Sequence, residues 1–196
     1  MTTRPTNPVS RRTALAGLGA GGLGLALAAT ARGVAAQNAI AEMATHPLVG
    51  TWMTGTSPAD FAVAHWDADG NMTNNGLFAL PGPDGTMIHS NPFAGVWEPD
   101  GDRGIHFTFM ALTYDAAGAV TGSITVDGYP VANEDGNSFW DDGTRAVVTL
   151  RDATGAVSQE IATVPAVAGV RMAPGKPGYD ELLAMLAAGP AASPTT

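Results

Sequence analysis

The chain has no cysteine among its 196 residues. This absence excludes disulfides, thiolate metal sites, cysteine nucleophiles and the lipid anchor of bacterial lipoproteins, which is attached to a cysteine. Basic residues are also scarce: nine Lys and Arg stand against 18 Asp and Glu, which gives a net charge of −9. Because an acidic surface repels polyanions, we expect no nucleic-acid partner.

Glycine and proline are abundant by comparison, with 25 and 14 residues. This composition favours a fold with many turns over one with long helices. A hydrophobic fraction of 45% and a charged fraction of 14% are typical of a globular protein. The length is sufficient for one domain with its own core.

The first 36 residues contain four arginines and no acidic residue. Arg11 and Arg12 precede an uncharged, glycine-rich stretch, 13–31, and small residues follow at 34–36. The segment resembles a twin-arginine export signal, which implies cleavage before Gln37 and a location in the periplasm, at the cell wall or outside the cell. An uncleaved anchor is the alternative, since the apolar stretch could just span a bilayer. Cleavage would leave five basic residues against 18 acidic ones, and we expect such a chain to avoid anionic membranes.

Nine segments after this leader are typical of β-strands, because they are rich in Val, Ile, Thr and aromatic residues between Gly, Asp and Asn. They are Val49–Thr56, Asp60–Trp66, Met72–Leu80, Thr86–His89, Ala94–Glu98, Gly104–Tyr114, Ala119–Asp127, Phe139–Arg151 and Val157–Val164. We assign the leader to residues 1–36, a spacer to 37–45, a β-domain to 46–176, a helix to 177–189 and a disordered tail to 190–196. The loop 81–85 is a candidate lid.

Turns of one type connect several of these segments. Asp67, Asp115 and Asp152 each begin an Asp-x-x-Gly turn, and Glu134–Asn137 is a near variant. The Asp side chain bonds to the turn backbone, and the Gly takes the left-handed conformation that closes a short hairpin. Consecutive strands are therefore predicted to be antiparallel neighbours.

Alternating hydrophobic residues predict a sheet with one buried face. The residues predicted to point inward are Phe61, Val63, His65, Ile124, Val126 and the odd positions from 105 to 111. About eight such strands suit an all-β fold, a single antiparallel up-and-down β-barrel, because closure removes exposed edges. A flattened sandwich is the alternative architecture.

One short helix is predicted near the C-terminus. Tyr179, Leu182, Leu183 and Leu186 recur at helical spacing, and Gly189 with the following Pro ends the pattern. We expect the apolar stripe of this helix to pack on the outer wall of the barrel.

The Gly50-Thr51-Trp52 segment resembles the opening strand of the lipocalin-like (calycin) β-barrels. The resemblance implies that Gly50 and Trp52 form the floor of the barrel and that the barrel binds a small ligand. It also implies that an arginine from a late strand covers Trp52. The sequence offers Arg145, Arg151 or Arg171 for that position.

Aromatic residues and one histidine are the candidate ligand-binding set, namely Phe61, His65, Trp97, Phe107 and Phe109. Such a cavity would suit a small apolar molecule or, through the imidazole, a haem iron. The segment 51–55 also resembles the opening of the nitrobindin-like haem barrels. The alternative is a core filled by side chains, which would make the protein a structural or interaction module without a ligand.

No motif indicates catalysis or a metal site. The chain lacks a Gly-x-Ser-x-Gly nucleophile elbow, and its four histidines are scattered. The acidic residues Glu134, Asp135, Asp141 and Asp142 are expected to be solvated turn charges. An enzyme of the cyclase or isomerase type, using the barrel as a reaction chamber, is the least supported alternative.

Overall fold

The computed structural model describes residues 43–76, 79–81, 87–162 and 164–189. The predicted leader, most of the predicted spacer, nearly all of the candidate lid and the predicted tail lie outside these residues. Within the part of the chain that the structure describes, none of the helices has the length and apolar character needed to cross a membrane.

The described residues form thirteen strands and one C-terminal helix, α1 (Tyr179–Ala188). The strands are β1 (Gly50–Ser57), β2 (Asp60–Trp66), β3 (Asn71–Asn74), β4 (Ala79–Pro81), β5 (Met87–Ser90), β6 (Phe93–Pro99), β7 (Ile105–Tyr114), β8 (Val120–Gly128), β9 (Val131–Ala132), β10 (Ser138–Asp141), β11 (Val147–Asp152), β12 (Val157–Ala162) and β13 (Val167–Arg171).

Eleven strands follow one another across a single antiparallel sheet. Their order is β12-β11-β8-β7-β6-β3-β2-β1-β13-β10-β9, and the β4–β5 hairpin joins β7 through β5. The sheet curls so strongly that β9, at one edge, reaches back towards β7, where Gly104 and Val131 form one isolated bridge. No ladder follows this bridge in the described residues, so the sheet is an open half-barrel.

The all-β antiparallel class and the C-terminal helix are confirmed, but the closed barrel of about eight strands is wrong. The predicted strand 139–151 splits into β10 and β11, because Gly143 has a φ of 74° and Asp142 Oδ1 accepts from the Thr144 amide at 2.9 Å. The predicted strand 72–80 also splits in two. Strand β13 was not predicted, and it pairs with both β1 and β10. Since β8 pairs with β11, the order is not a simple up-and-down one.

The Asp-x-x-Gly turns form as predicted. Gly70, Gly118 and Gly155 have φ values of 86°, 81° and 85°. Each glycine amide donates to the carbonyl of the Asp that begins its turn, at 3.2, 3.0 and 2.9 Å. These turns join β2 to β3, β7 to β8 and β11 to β12, and all three pairs are antiparallel.

The predicted alternation is confirmed in the centre of the sheet. Along β7, Ile105, Phe109 and Ala111 are buried in the main core, and Ile124 of β8 is buried beside them. His106, at an even position of β7, stacks on Tyr129 instead, with ring centroids 4.7 Å apart.

The alternation predicted for β2 is wrong. Its core residues are Ala64 and Trp66, whereas Phe61 faces the other way and contacts Tyr179 of α1, with ring centroids 5.0 Å apart. Helix α1 covers this part of the outer face, where Leu182 is fully buried. Strand β2 therefore carries bulky residues on both faces. The expected packing of the helix on the outer wall is confirmed.

Candidate functional site

One end of the half-barrel is filled by side chains. Five buried residues form this floor, namely Leu48, Trp52, Trp66, Trp97 and Ile105. The Trp52 indole donates to the Leu48 carbonyl at 2.8 Å, and the Trp97 indole donates to the Asp67 carbonyl at 3.0 Å. Because large apolar groups fill the space and the Trp52 and Trp97 indoles are hydrogen-bonded, the floor is a packed end and not an entrance.

Arg171, the last residue of β13, covers the floor. Its Cζ lies 4.3 Å from the centroid of the Trp52 ring. Its Nη1 donates to the Val49 carbonyl and its Nε to the Gly136 carbonyl, both at 2.9 Å, and its Nη2 donates to the Pro47 carbonyl. Burial lowers the pKa of Arg171, but a guanidinium remains charged in a protein. Of the three arginines that the sequence left open, Arg171 occupies this position.

Gly50 makes room for this arginine. A Cβ at position 50 would lie 2.6 Å from Arg171 Nη1, and the φ of +137° disfavours any side chain there. The two residues expected at the floor, Gly50 and Trp52, are thus placed directly beside Arg171.

An inner cavity of about 100 Å³ lies beyond the floor. Its apolar wall includes Ala64, Phe107, Phe109, Val126 and Phe139, and its polar lining consists of Thr54, Trp66, Asn74 and Asp141. Pockets for drug-sized ligands measure a few hundred cubic ångströms, so this cavity is too small for such a ligand or for a haem. The interior of the half-barrel is mostly filled by side chains.

Asp141 is not a solvated turn charge, and that prediction is wrong for this residue. It is only 6% exposed and lines the inner cavity. Its Oδ2 accepts from the Tyr129 amide at 2.6 Å, and its Oδ1 accepts from the Gly143 amide at 2.9 Å. These two bonds offset part of the cost of burying a carboxylate.

A much larger groove, of about 850 Å³, lies at the opposite end of β7 from the floor. It is built from β5, β7, β8, β11, β12 and the β7–β8 turn. Its lining includes Met87, His89, Thr113, Tyr114, Thr121, Leu150, Arg151 and Ser158. The buried residues Ala111 and Ile124 lie between the groove and the inner cavity.

The carboxylates at the groove are already bound by backbone amides. Asp115 Oδ1 accepts from two amides of its own turn, and Asp152 Oδ1 accepts from the Thr154 amide and hydroxyl. The bonds from Thr154 lower the pKa of Asp152. Arg151 donates one bond, to the Gly155 carbonyl at 3.2 Å. Because a guanidinium has five N–H donors, Arg151 can also receive an anionic group in the groove.

The five residues predicted to bind a ligand do not form one group. Phe107 and Phe109 are stacked with ring centroids 5.0 Å apart and line the inner cavity. Trp97 belongs to the floor. Phe61 and His65 lie on the outer face of β2.

His65 takes part in a surface network of hydrogen bonds. Its Nδ1 lies 2.9 Å from Thr51 Oγ1, and its Nε2 lies 2.8 Å from Asp67 Oδ1. In a neutral imidazole with these partners, the ring proton lies on Nε2, because the carboxylate only accepts, and Nδ1 accepts from the hydroxyl. Thr51, His65 and Asp67 follow the order of a nucleophilic hydroxyl, its base and a carboxylate. The His65 and Asp67 side chains are 43% and 52% exposed, however, so the network lies at the surface. None of the three lines the groove or the inner cavity. His65 therefore does not point into the half-barrel, contrary to the orientation predicted for it.

Comparison of the chain with protein-family models, with curated proteins and with solved structures finds no match. Among the side chains that the structure describes, no three His, Asp or Glu residues group around a space for a metal ion. The floor, the inner cavity and the groove are therefore the features that bear on function.

The groove was not predicted from the sequence, although β7 carries a signal for it. Thr113 continues the inward series that starts at Ile105, and it is the first polar residue in that series. Thr121 of β8 is next to Gly122, which is the residue opposite Thr113, and it donates to the Thr113 hydroxyl at 3.0 Å. A change from apolar to hydroxyl residues at inward positions marks the point where the core ends.

Proposed function

We propose that the protein is an exported binder of a small apolar or amphipathic molecule, which it holds in the groove at the open end of the half-barrel. The observation that carries this proposal is the groove of about 850 Å³, in a fold whose other end is packed. Small-molecule sites typically measure about 300–1,000 Å³ and combine apolar walls with a few polar groups. Met87 and Leu150, the hydroxyls of Thr113 and Ser158, and Arg151 supply that combination.

The proposal includes a lipocalin-like architecture. What supports it is the position of Trp52 on the first strand, under an arginine from the last strand. The proposed ligand site differs from the one expected from the sequence. It is the groove at the open end of the half-barrel, not a cavity lined by the five predicted residues. Haem has no place in this proposal, since His65 faces outward and the inner cavity is too small.

The lining of the groove provides apolar surface for a ligand to cover. Met87 is 50% exposed there, and its flexible thioether side chain adapts to ligands of different shape. Covering exposed apolar area is favourable by about 25 cal/mol per Å². A charge placed at position 87 should therefore oppose binding.

A fluorescence titration with N-phenyl-1-naphthylamine, a neutral apolar probe, tests the proposal. We expect saturable binding to the wild type and at least tenfold weaker binding to Met87→Glu. The matched control is Val96→Glu, because Val96 is similarly exposed, at 59%, and lies outside the groove. No saturable binding by the wild type, or equal weakening in both variants, would contradict the proposal.

Export is a separate part of the proposal and has its own test. We expect N-terminal sequencing of the exported protein to begin at Gln37. Replacement of Arg11 and Arg12 by Lys should retain the precursor in the cytoplasm. Recovery of the full-length chain in the membrane fraction would instead support an uncleaved anchor.

An interaction module without a ligand is the second candidate function. Val96, Met110 and Leu112 expose 59%, 50% and 38% of their surface on the outer face of β6 and β7. Exposed apolar patches often mark protein interfaces. This alternative predicts that Met110→Glu disrupts the complex with a partner protein, which lowers the sedimentation coefficient. It also predicts that the neutral probe does not bind in the groove.

A further inference from the structure

The inner cavity contains a hydrogen-bond donor that lacks a partner. Trp66 lines the cavity and is 2% exposed, and its Nε1 has no acceptor among the residues that the structure describes. Buried indole N–H groups normally donate a hydrogen bond, because leaving one unmade is unfavourable. Because none of the described residues accepts from this N–H, a molecule inside the cavity can supply the acceptor.

Asp141 supplies an acceptor on the same cavity wall. Its two oxygens each accept one backbone amide, and an ionised carboxylate has about four lone-pair sites. Acceptor capacity therefore remains. The other two polar side chains of the wall already have partners. Asn74 Oδ1 accepts from the Gly76 amide at 3.1 Å, and the Thr54 hydroxyl donates to the Ala62 carbonyl at 3.3 Å.

We propose that the inner cavity binds a neutral solute of about four heavy atoms, which accepts a hydrogen bond from Trp66 and donates one to Asp141. A small primary amide has both groups. An ammonium offers no acceptor to the indole N–H and a carboxylate offers no donor to Asp141, so the ligand that fits both groups is neutral. A dry apolar cavity of about 150 Å³ binds benzene, which sets the upper size for a space of about 100 Å³. The aromatic wall of Phe107 and Phe139 contacts the apolar end of the solute.

This site is independent of the groove and of the function proposed for it. Ala111 and Ile124 separate the two spaces, and the two linings share no residue. Failure of either proposal therefore leaves the other standing.

Three probes of equal size and branching test the chemistry: acetamide, acetone and isopropylammonium. Each is titrated into the ¹⁵N-labelled protein while the indole N–H resonance of Trp66, assigned with Trp66→Phe, is recorded. We expect acetamide to give a saturable shift with half-saturation in the millimolar range, as four heavy atoms allow. Acetone lacks the donor and should bind at least threefold more weakly. Isopropylammonium should give no saturable shift.

Three results would overturn the proposal. Equal binding of acetone would show that Asp141 does not contribute, and tighter binding of isopropylammonium would show that the site selects cations. Absence of a saturable acetamide shift, together with magnetisation exchange between the Trp66 N–H and a long-lived water, would show that the cavity holds water only.

A cavity-filling variant locates the binding. Ala64→Val places two more methyl groups at the cavity wall and should abolish the acetamide shift, whereas Ala94→Val, on the exposed outer face of β6, should preserve it. The Trp52 indole resonance reports whether each variant keeps the floor. If Ala64→Val does not fold, the three probes on the wild type still decide the question.

Discussion

At the floor, Leu48, Trp52 and Ile105 have no exposed surface, whereas at the groove Met87 is half exposed. Both ends belong to one sheet, and β7 runs from the floor to the groove. Its inward residues change along the strand from Ile and Phe to Ala and finally to Thr113. Since β7 continues through both ends, the size and polarity of its inward side chains decide which end is packed and which can accept a ligand.

The largest contrast is expected from one substitution made at both ends, Leu48→Ala and Leu150→Ala. Leu48 is fully buried in the floor, so its truncation should leave a cavity and cost about 3–5 kcal/mol of unfolding free energy. Leu150 lines the groove, and water can enter the space that its truncation leaves, so we expect a cost of about 2 kcal/mol. Urea unfolding of both variants measures the difference. Equal costs would show that the groove end is as tightly packed as the floor.

Truncation of the two arginines should also cost more stability at the floor, where Arg171 lies, than at the groove, where Arg151 lies. Arg171 donates to three carbonyls and covers Trp52, so Arg171→Ala should cost about 3 kcal/mol, and Arg171→Lys should recover only part of it because an ammonium cannot match the planar fork. Arg151 makes one exposed bond, so Arg151→Ala should change stability by less than about 0.5 kcal/mol. Thermal unfolding checks both values. A loss at Arg151 as large as at Arg171 would remove the distinction between the ends.

Local chemistry made some of these features predictable. The Asp-x-x-Gly turns depend only on neighbouring residues, and Gly70, Gly118 and Gly155 adopt the expected conformation. The alternation of β7 was also readable, because its outer face has no covering element in the described residues. Helix α1 was readable from its spacing and its terminal glycine.

Long-range packing explains the features that could not be predicted. Strand β2 was assigned the wrong inner face because α1, more than 110 positions later in the chain, covers Phe61. Strand β13 is short and contains Ala and Gly, and only its pairing with β1 and β10 makes it a strand. The inner cavity could not be predicted for the same reason. The sequence around Asp141 is typical of a surface turn, and only the curling of the sheet buries this residue.

The pH dependence of stability is expected to come in part from the floor. His46 is buried, its Nδ1 accepts from the Leu48 amide at 3.2 Å, and its ring lies 5.6 Å from that of Trp97. Burial lowers the pKa of His46 below its ordinary value of 6.5, and this outweighs the carbonyls of Gly101 and Gly104, which act to raise it. The folded state keeps the imidazole neutral where the unfolded chain binds a proton. The contribution of His46 to stability is therefore fully present above about pH 6.5 and decreases as the pH falls below that value.

Urea unfolding at pH 7.5, 6.5 and 5.5 checks this prediction with His46→Asn as the control. The Asn side chain can still accept from the Leu48 amide but does not titrate. Each unit by which folding lowers a pKa corresponds to about 1.4 kcal/mol, so the wild type should lose more stability than the variant between pH 7.5 and pH 5.5. Parallel pH profiles would show that His46 is not responsible.

The smallest expected effect concerns the charge at the groove and tests whether Arg151 selects anionic ligands. 1-Anilinonaphthalene-8-sulfonate carries the rings of the neutral probe and adds a sulfonate. Arg151→Gln should weaken its binding about three- to tenfold, or about 1 kcal/mol, and should leave N-phenyl-1-naphthylamine unchanged. The control is Arg145→Gln, which removes the same charge from an arginine that pairs with Asp100 at 2.7 Å outside the groove. If Arg145→Gln weakens sulfonate binding equally, the net charge of the protein and not the groove is responsible. If both probes lose affinity only in Arg151→Gln, the arginine acts by packing and the groove has no preference for anions.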